Sequence, residues 1–359
     1  MKITIVTPGI SGGGTERVAT ILANGFVERG HDVCVICCYY SKREYELNNA
    51  VKVHDVVSDK RGFVGLARRS LSLRRMLRTV NPDVVLSFVA PEMVLAQMAH
   101  LPTVQTLRND PWHFDTSRSK RFLFKKAFDL AERVVFQTSA SMKFYSDKVQ
   151  AKGIVLPNPL ETSRLPRWKG NADALEFVAA ARLSEQKNYQ MMIHAFDEFH
   201  EAHPDWKLSI YGEGPERGKL EKLINDLGLN ECVSLSGRST QVHERIANAS
   251  AFVLSSDYEG VSNSMLEALC IGAPCVVTDH SPGGAREYIE NGVNGLLTKV
   301  GDAHDMALAM ARIADDPDFA RKLGKHGMLV RERVDVEVAV NQWEKVLEDA
   351  AGLTVRASK

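Results

Sequence analysis

Residues 251–280 read AFVLSSDYEGVSNSMLEALCIGAPCVVTDH, and this stretch decides the fold. Its ends, AFVL and PCVV, are short unbroken apolar runs of the kind that form strands buried on both faces. Between them Ser262 and Asn263 are residue types that begin helices. Leu266, Leu269 and Cys270 then put an apolar face toward a core, until Gly272 and Pro274 stop the helix. Strand, helix and strand in this order make a crossover unit, and hence a parallel sheet. Two carboxylates, Glu259 and Glu267, flank the helix start. Glu267 falls about 6 Å along the axis from the cap, at ~1.5 Å rise per residue. Free amides at a helix start favour an anion, so acids beside them are expected to face neutral hydroxyl groups. The bland alternative is that Glu267 satisfies a buried polar neighbour.

The same rhythm runs outward in both directions. KITIVTP leads into TERVATILANGFVERG, whose Val18, Ile21, Leu22 and Phe26 share a helical face. HDVCVICCYY, PDVVLSFVA, TVQTL, RVVFQTS and GIVLPNP follow as strands. The Pro-rich and polar run VLPNPLETSRLPRWKGNAD reads as a linker. A second series begins with LEFVAAARL and a helix over about 188–201. WKLSIYGEG, another helix, VSLSG, AFVLSSD and PCVVTDH complete it. The pattern predicts an α/β protein with two doubly wound, Rossmann-like parallel sheets. The predicted domains are residues 1–160 and 161–335, with a C-terminal helix in 336–359 packing back on the first.

Composition is that of an ordinary globular chain: 359 residues, 44% apolar, 25% charged, and 45 basic against 45 acidic side chains. The charge is not evenly spread. Residues 1–160 hold 23 Lys and Arg against 14 Asp and Glu, a surplus of nine, and the remainder carries the opposite imbalance. KRGFVGLARRSLSLRRMLR (60–78) and SRSKRFLFKKAF (117–128) interleave cations with Phe, Leu and Met. Such segments suit an anionic membrane surface or a lipid diphosphate, and they also suit plain solvated helices. No nucleic-acid-binding signature accompanies them. The six cysteines lack zinc spacing beyond Cys34-x-x-Cys37, and they read as reduced core residues. The N-terminal MKITIVTPGISGGG reads as strand and turn, not as a secretion signal, and no run is long enough to span a bilayer.

Three further features carry chemistry. Ser11 to Arg17, SGGGTER, follows the first strand, where Gly13 and Gly14 allow a ligand close to the backbone. A nicotinamide site would need a third glycine where Arg17 stands and an acid where the second strand ends in Cys38, Tyr39 and Tyr40. Arg182 and Lys187, five apart after the first strand of the second half, can converge on a diphosphate. They equally suit a solvated loop in which one of them pairs Glu185. Asp316 and Asp318 form a D-x-D at a helix start, where acids favour the N-terminus, and no metal is expected there.

The glycine-rich turn, Arg182 with Lys187, Gly212-Glu213-Gly214, and Glu259 with Glu267, in this order, resemble the family 4 glycosyltransferases. The resemblance spans nearly the whole chain and implies the GT-B fold, two Rossmann-like domains facing a central cleft, and transfer with retention. It implies that Arg182 and Lys187 hold a nucleotide diphosphate, that Glu259 contacts the donor sugar, and that Glu267 contacts the ribose. Backbone amides from Gly260 and Val261 to Ser262 and Asn263 would touch sugar or phosphate, with Gly13 and Gly14 on the donor as well. Arg108, beside Asn109, stands where many relatives have a histidine near the donor sugar, and an arginine better suits a phosphate or a carboxylated sugar. Similar sequences move a hexose or N-acetylhexosamine from a UDP-sugar to a lipid-linked saccharide. The expected partners are therefore a UDP-sugar, a lipid-linked acceptor and an anionic membrane surface, with no nucleic acid. No cofactor is expected, and the place is the cytoplasmic face of the membrane. The alternatives are a nucleotide-sugar epimerase, an inverting GT-B enzyme, or an inactive binding scaffold.

Overall fold

The computed structural model describes the chain except residues 41, 59, 61, 98–100, 114–117, 172–173 and 354–359, together with the side chains of 95–97. Parts of both basic segments, of the expected linker and of the C-terminal segment therefore lie outside the described residues. The rest divides into two units, Met1–Leu160 with Asp335–Lys359, and Glu161–Val334.

The first unit is built on seven parallel strands: β1 (Lys2–Thr7), β2 (Asp32–Cys37), β3 (Lys52–Asp55), β4 (Val84–Ser87), β5 (Thr103–Thr106), β6 (Arg133–Phe136) and β7 (Gly153–Val155). Their order is β3-β2-β1-β4-β5-β6-β7, so the chain starts in the middle and winds to each edge. Helices α1 (Gly14–Glu28), α2 (Gly62–Val80), α3 (Ala90–Gln97), α4 (Arg118–Leu130), α5 (Ser139–Lys143) and α6 (Asp147–Gln150) connect them. Alternation decides the faces. Ile3, Ile5, Val33 and Val35 join one apolar cluster with α1, while Val6, Cys34, Ile36 and Val85 join another with Leu73, Leu77 and Met93.

The second unit has strands β8 (Glu176–Ala180), β9 (Lys207–Tyr211), β10 (Val233–Gly237), β11 (Ala251–Leu254), β12 (Cys275–Thr278) and β13 (Leu296–Thr298), in the order β10-β9-β8-β11-β12-β13. Its helices are α7 (Tyr189–His200), α8 (Arg217–Asp226), α9 (Val242–Asn248), α10 (Asn263–Ile271), α11 (Ala303–Asp315), α12 (Pro317–Gly327) and α13 (Arg331–Val334). The final helix, α14 (Val336–Ala350), belongs to the first unit, where Trp343 is fully buried. A Cβ on Gly25 of α1 would lie 2.6 Å from Val340 on α14, so that crossing needs a glycine. Arg29 and His31 tie to Glu344 at 2.6 Å each.

Two strands escape sequence reading. β3 and β13 are edge strands whose sequences, KVHD and LLT, hold only one and two apolar residues and so make no apolar run. The expected linker also differs. Past Leu160 the segment is bonded along the second unit, with the Trp168 amide donating to the Ile271 carbonyl, Lys169 to Ala247, and the Trp168 indole to Ala249. Among the described residues no helix is long and apolar enough to cross a membrane. Cys34, Cys37, Cys38, Cys270 and Cys275 are buried, and burial pushes the Cys34 thiol up to about 11 and the Cys37 thiol up to about 12. Cys232 is only half-buried.

Candidate functional site

In the second unit β8 and β11 are neighbours although distant in sequence, so the loops at their C-terminal ends lie side by side. Hydrogen bonds lock the two loops together. The Ser255 hydroxyl donates to the Lys187 carbonyl at 2.7 Å, the Gln186 amide to the Tyr258 carbonyl at 2.7 Å, and Asn188 to Asp257 at 2.7 Å. The loop after β9 closes on the same place. A Cβ at Gly212 would stand 1.9 Å from the Ala181 carbonyl, and one at Gly214 would stand 2.1 Å from that of Leu183. These glycines let two backbones touch, which sets the loop that carries Arg182.

Lys187 and Glu259 meet in an ion pair, and Glu259 also accepts from the Ser256 hydroxyl. Neither alternative read from sequence, a solvated Lys187 or one paired to Glu185, is what the fold builds. The Glu259 side chain is 8% exposed and that of Lys187 14%. Burial works to raise the Glu259 pKa, but the Lys187 charge and the hydrogen bonds from Lys187 and Ser256 outweigh it, and the carboxyl is held below its usual range. Arg182, by contrast, is exposed, and its guanidinium has no ion-pair partner among the described residues. One cation is therefore held beside a carboxylate, and the other is open to an incoming anion.

Helix α10 starts beside this pair. Ser262 takes the N-cap position, yet its side chain does not cap, its hydroxyl lying 3.1 Å from that of Ser264. Helices α7, α11, α12 and α14 are instead capped by the side chains of Asn188, Asp302, Asp316 and Asp335. The stretch Gly260, Val261, Ser262 is buried, and Gly260 is gripped from behind, since a Cβ at Gly284 would lie 1.8 Å from its carbonyl. Glu267 is buried on α10, and Nε2 of His243, on α9, lies 3.2 Å from its Oε2.

Two histidines escaped the sequence reading. His243 lies on the short helix α9, in a polar stretch that carries no local signal. His280 follows β12, and a polar residue where a buried parallel strand ends was the signal that could have found it. His280 is 1% exposed with Nδ1 3.3 Å from the Ser281 carbonyl, and Nε2 meets no partner among the described residues. Burial depresses its pKa despite Glu259 nearby, so the ring is neutral.

The first unit places two of the features singled out in the sequence. Glu16 is buried and its carboxylate folds back over the start of α1: a Cβ on Gly13 would sit 2.3 Å from Glu16 Oε2, and the Tyr40 hydroxyl donates to Oε1 at 2.5 Å. The Glu16 carboxylate thus lies over the turn that holds Gly13 and Gly14. Arg108 does not project freely. It donates to the Asn158 carboxamide, which also accepts from Gln137 at 2.8 Å, and its guanidinium lies 6.0 Å from the Trp343 ring. The Asn109 side chain accepts from the Asp110 amide at 2.8 Å and shapes its own turn.

The D-x-D acids are locally engaged. Asp316 accepts from the Phe319 amide at 2.9 Å, and Asp318 pairs Arg321 at 2.8 Å. Among the described residues no group of three His, Cys, Asp or Glu side chains is placed to hold a metal ion.

Comparison with known proteins gives the family and the fold. Residues 12–164 match the family described as Glycosyltransferase Family 4, and residues 166–330 match Glycosyl transferases group 1. The chain is 27% identical to the Lipopolysaccharide core biosynthesis glycosyltransferase LpsE of Rhizobium meliloti, covering 100% of each. It is 22% identical to the GalNAc-alpha-(1->4)-GalNAc-alpha-(1->3)-diNAcBac-PP-undecaprenol alpha-1,4-N-acetyl-D-galactosaminyltransferase of Campylobacter jejuni, over 97% of this chain and 99% of that one. The chain spans 41% of the Exopolysaccharide phosphotransferase SCO2592 of Streptomyces coelicolor, to which it is 27% identical. In fold it resembles Anabaena Alr3699/HepE, solved in complex with UDP and glucose, with a TM-score of 0.81 at 19% identity over 97% and 99% of the two chains.

Proposed function

Because this chain belongs to the glycosyltransferases, a family 4 domain followed by a group 1 domain on the GT-B fold, we propose that it moves a hexose or N-acetylhexosamine from a UDP-sugar to a lipid-linked saccharide in polysaccharide assembly. One observation carries the donor half of this reading: the Lys187–Glu259 pair lies in a loop cluster with open Arg182 and the uncapped start of α10. In order, this row offers an acceptor for sugar hydroxyls, positive groups for a diphosphate, and at Glu267 a carboxylate for a ribose. HepE was solved with UDP and glucose, which supports the choice of donor. The Campylobacter relative's name ends its acceptor in PP-undecaprenol, which supports a lipid diphosphate.

The chemistry follows from those roles. The anomeric carbon exchanges its bond to the UDP oxygen for one to the acceptor hydroxyl. Charge accumulates on the leaving diphosphate, where Arg182, Lys187 and the amides of Val261 to Asn263 stabilise it without a metal. Glu259 is a poor nucleophile because an ammonium and a hydroxyl already draw on its charge. With the retention that the family resemblance implies, and no free nucleophile at Glu259, attack comes from the face that UDP leaves, and the leaving phosphate oxygen takes the acceptor's proton. The exposed side of α2 suits work at an anionic membrane: Phe63, Val64 and Leu71 are 82%, 56% and 51% exposed, beside exposed Arg68, Arg75 and Arg78. UDP release on mixing the protein with UDP-hexoses or UDP-N-acetylhexosamines and a polyprenyl-diphosphate-linked saccharide tests the reading. No release with any donor and acceptor pair would overturn it.

A further inference from the structure

In the first unit, a cavity of about 260 Å³ opens beside α4, against the basic segment whose composition suits an anionic membrane or a lipid diphosphate. Arg121 and Lys125 stand on one of its walls, four residues apart and so on one face of the helix. Phe124, Phe144 and Tyr145 supply aromatic walls, and Phe144 is braced edge-on by Trp112 with ring centres 4.8 Å apart. None of the described residues that line it is acidic. Lys125 has no ion-pair partner among the described residues. Nearby rings are left in solvent: Phe122 is 66% exposed, Trp112 46% and Phe144 42%. Aromatic surface left in water beside cations marks a place for a ligand that is both apolar and anionic.

We infer that this cavity binds the diphosphate of a polyprenyl diphosphate, with Arg121 and Lys125 on the phosphates and the first carbons of the chain against Phe144 and Tyr145. The inference rests on the lipid-linked acceptor proposed above, and it gives that acceptor's lipid end a place in the first unit. Two cations one helical turn apart match a diphosphate better than a single phosphate ester. The aromatic wall selects a phosphate that carries a hydrocarbon over a free one. The volume holds a diphosphate and a short piece of chain, and leaves the rest of the lipid to run out past Phe122.

Farnesyl diphosphate is the soluble probe, with inorganic pyrophosphate and phosphatidylglycerol vesicles as the comparisons. By calorimetric titration of the full chain, farnesyl diphosphate should bind at least tenfold more tightly than pyrophosphate. Arg121→Gln and Lys125→Gln should each weaken it by about 10–100-fold, as expected for loss of a charge-assisted bond. Phe144→Ala should remove the preference for farnesyl diphosphate over pyrophosphate. UDP affinity should be unchanged in all three variants, which shows that they are folded. Equal binding of farnesyl diphosphate and pyrophosphate, or farnesyl diphosphate binding that survives Arg121→Gln with Lys125→Gln, would refute the site. So would variants that lose phosphatidylglycerol vesicles but keep farnesyl diphosphate. If transfer to a lipid-linked saccharide occurs but the double variant leaves its acceptor KM unchanged, the site fails and the function stands. If farnesyl diphosphate binds as described but no lipid-linked acceptor is used, the function fails and the site stands.

Discussion

Lys187→Met, with Glu259 left in place, tests the pair at the heart of the candidate site. Both side chains are largely buried, so salt screens their attraction little. Breaking such a pair from one side costs about 3–5 kcal/mol, since it strands the other charge. The stranded Glu259 has one escape, which is to take up a proton. From its ordinary value of 4.5 that costs at most about 3.4 kcal/mol at pH 7 and about 0.7 kcal/mol at pH 5, at ~1.36 kcal/mol per unit. The variant should therefore be less stable than the wild type by about 3 kcal/mol at pH 7, with the deficit shrinking by about 2 kcal/mol or more at pH 5. The sign follows from linkage. In the wild type the depressed Glu259 gives stability that is present above its unfolded value and lost as pH falls through the folded one. In the variant the raised carboxyl binds a proton on folding, so acid favours its folded state relative to neutral pH. Urea unfolding at the two pH values, followed by circular dichroism, reads both numbers. Lys187→Met with Glu259→Gln should be more stable at pH 7 than Lys187→Met alone, since nothing charged is stranded. A single variant as stable as the wild type at pH 7, a deficit that ignores pH, or strictly additive single changes would refute the reasoning.

The two glutamates should separate in calorimetry and turnover. Glu267→Gln should weaken UDP and UDP-sugar alike by about 10–100-fold. Glu259→Gln should hold or raise UDP affinity, because it frees Lys187 for the diphosphate, while turnover falls tenfold or more, about 1.4 kcal/mol or more of barrier. Equal losses of UDP affinity in both would mean that the roles are wrongly assigned. At the membrane, Arg68→Gln, Arg75→Gln and Arg78→Gln together should release the protein from anionic vesicles at low salt, at about 1 kcal/mol each. Arg69 is not part of that face: it pairs the fully buried Glu92 at 3.1 Å, and Arg69→Gln should show up in stability. Acid should also act through His280. Its depressed pKa means that the unfolded chain takes a proton below about 6.5 which the buried ring refuses, so stability falls with pH from there by up to ~1.36 kcal/mol per unit. His280→Asn should flatten that slope in urea titrations between pH 7 and 5, and an unchanged slope would assign it to other groups.

By itself the sequence determined the fold class. Runs such as AFVL and PCVV, separated by a helix-length segment, allow little other than parallel strands buried on both faces, because burial and pairing are dictated by neighbours along the chain. It also marked Arg182, Lys187, Glu259 and Glu267 as chemically notable, the first three in loops after strands and Glu267 one turn into a helix. The edge strands β3 and β13 were invisible to it, because KVHD and LLT hold too few apolar residues to make a run. Only the tertiary structure decided which charges meet. Lys187 has Glu185 two residues away and instead pairs Glu259, 72 residues on, because sheet order sets β8 beside β11. The same holds for His243 against Glu267, for Arg69 turned inward while Arg68 faces out, and for Glu16 lying over the glycine turn thought to be open. Local pattern says which residues can be buried or can begin a helix. Partners come from strands that are neighbours in space and distant in the chain, and no local pattern records that.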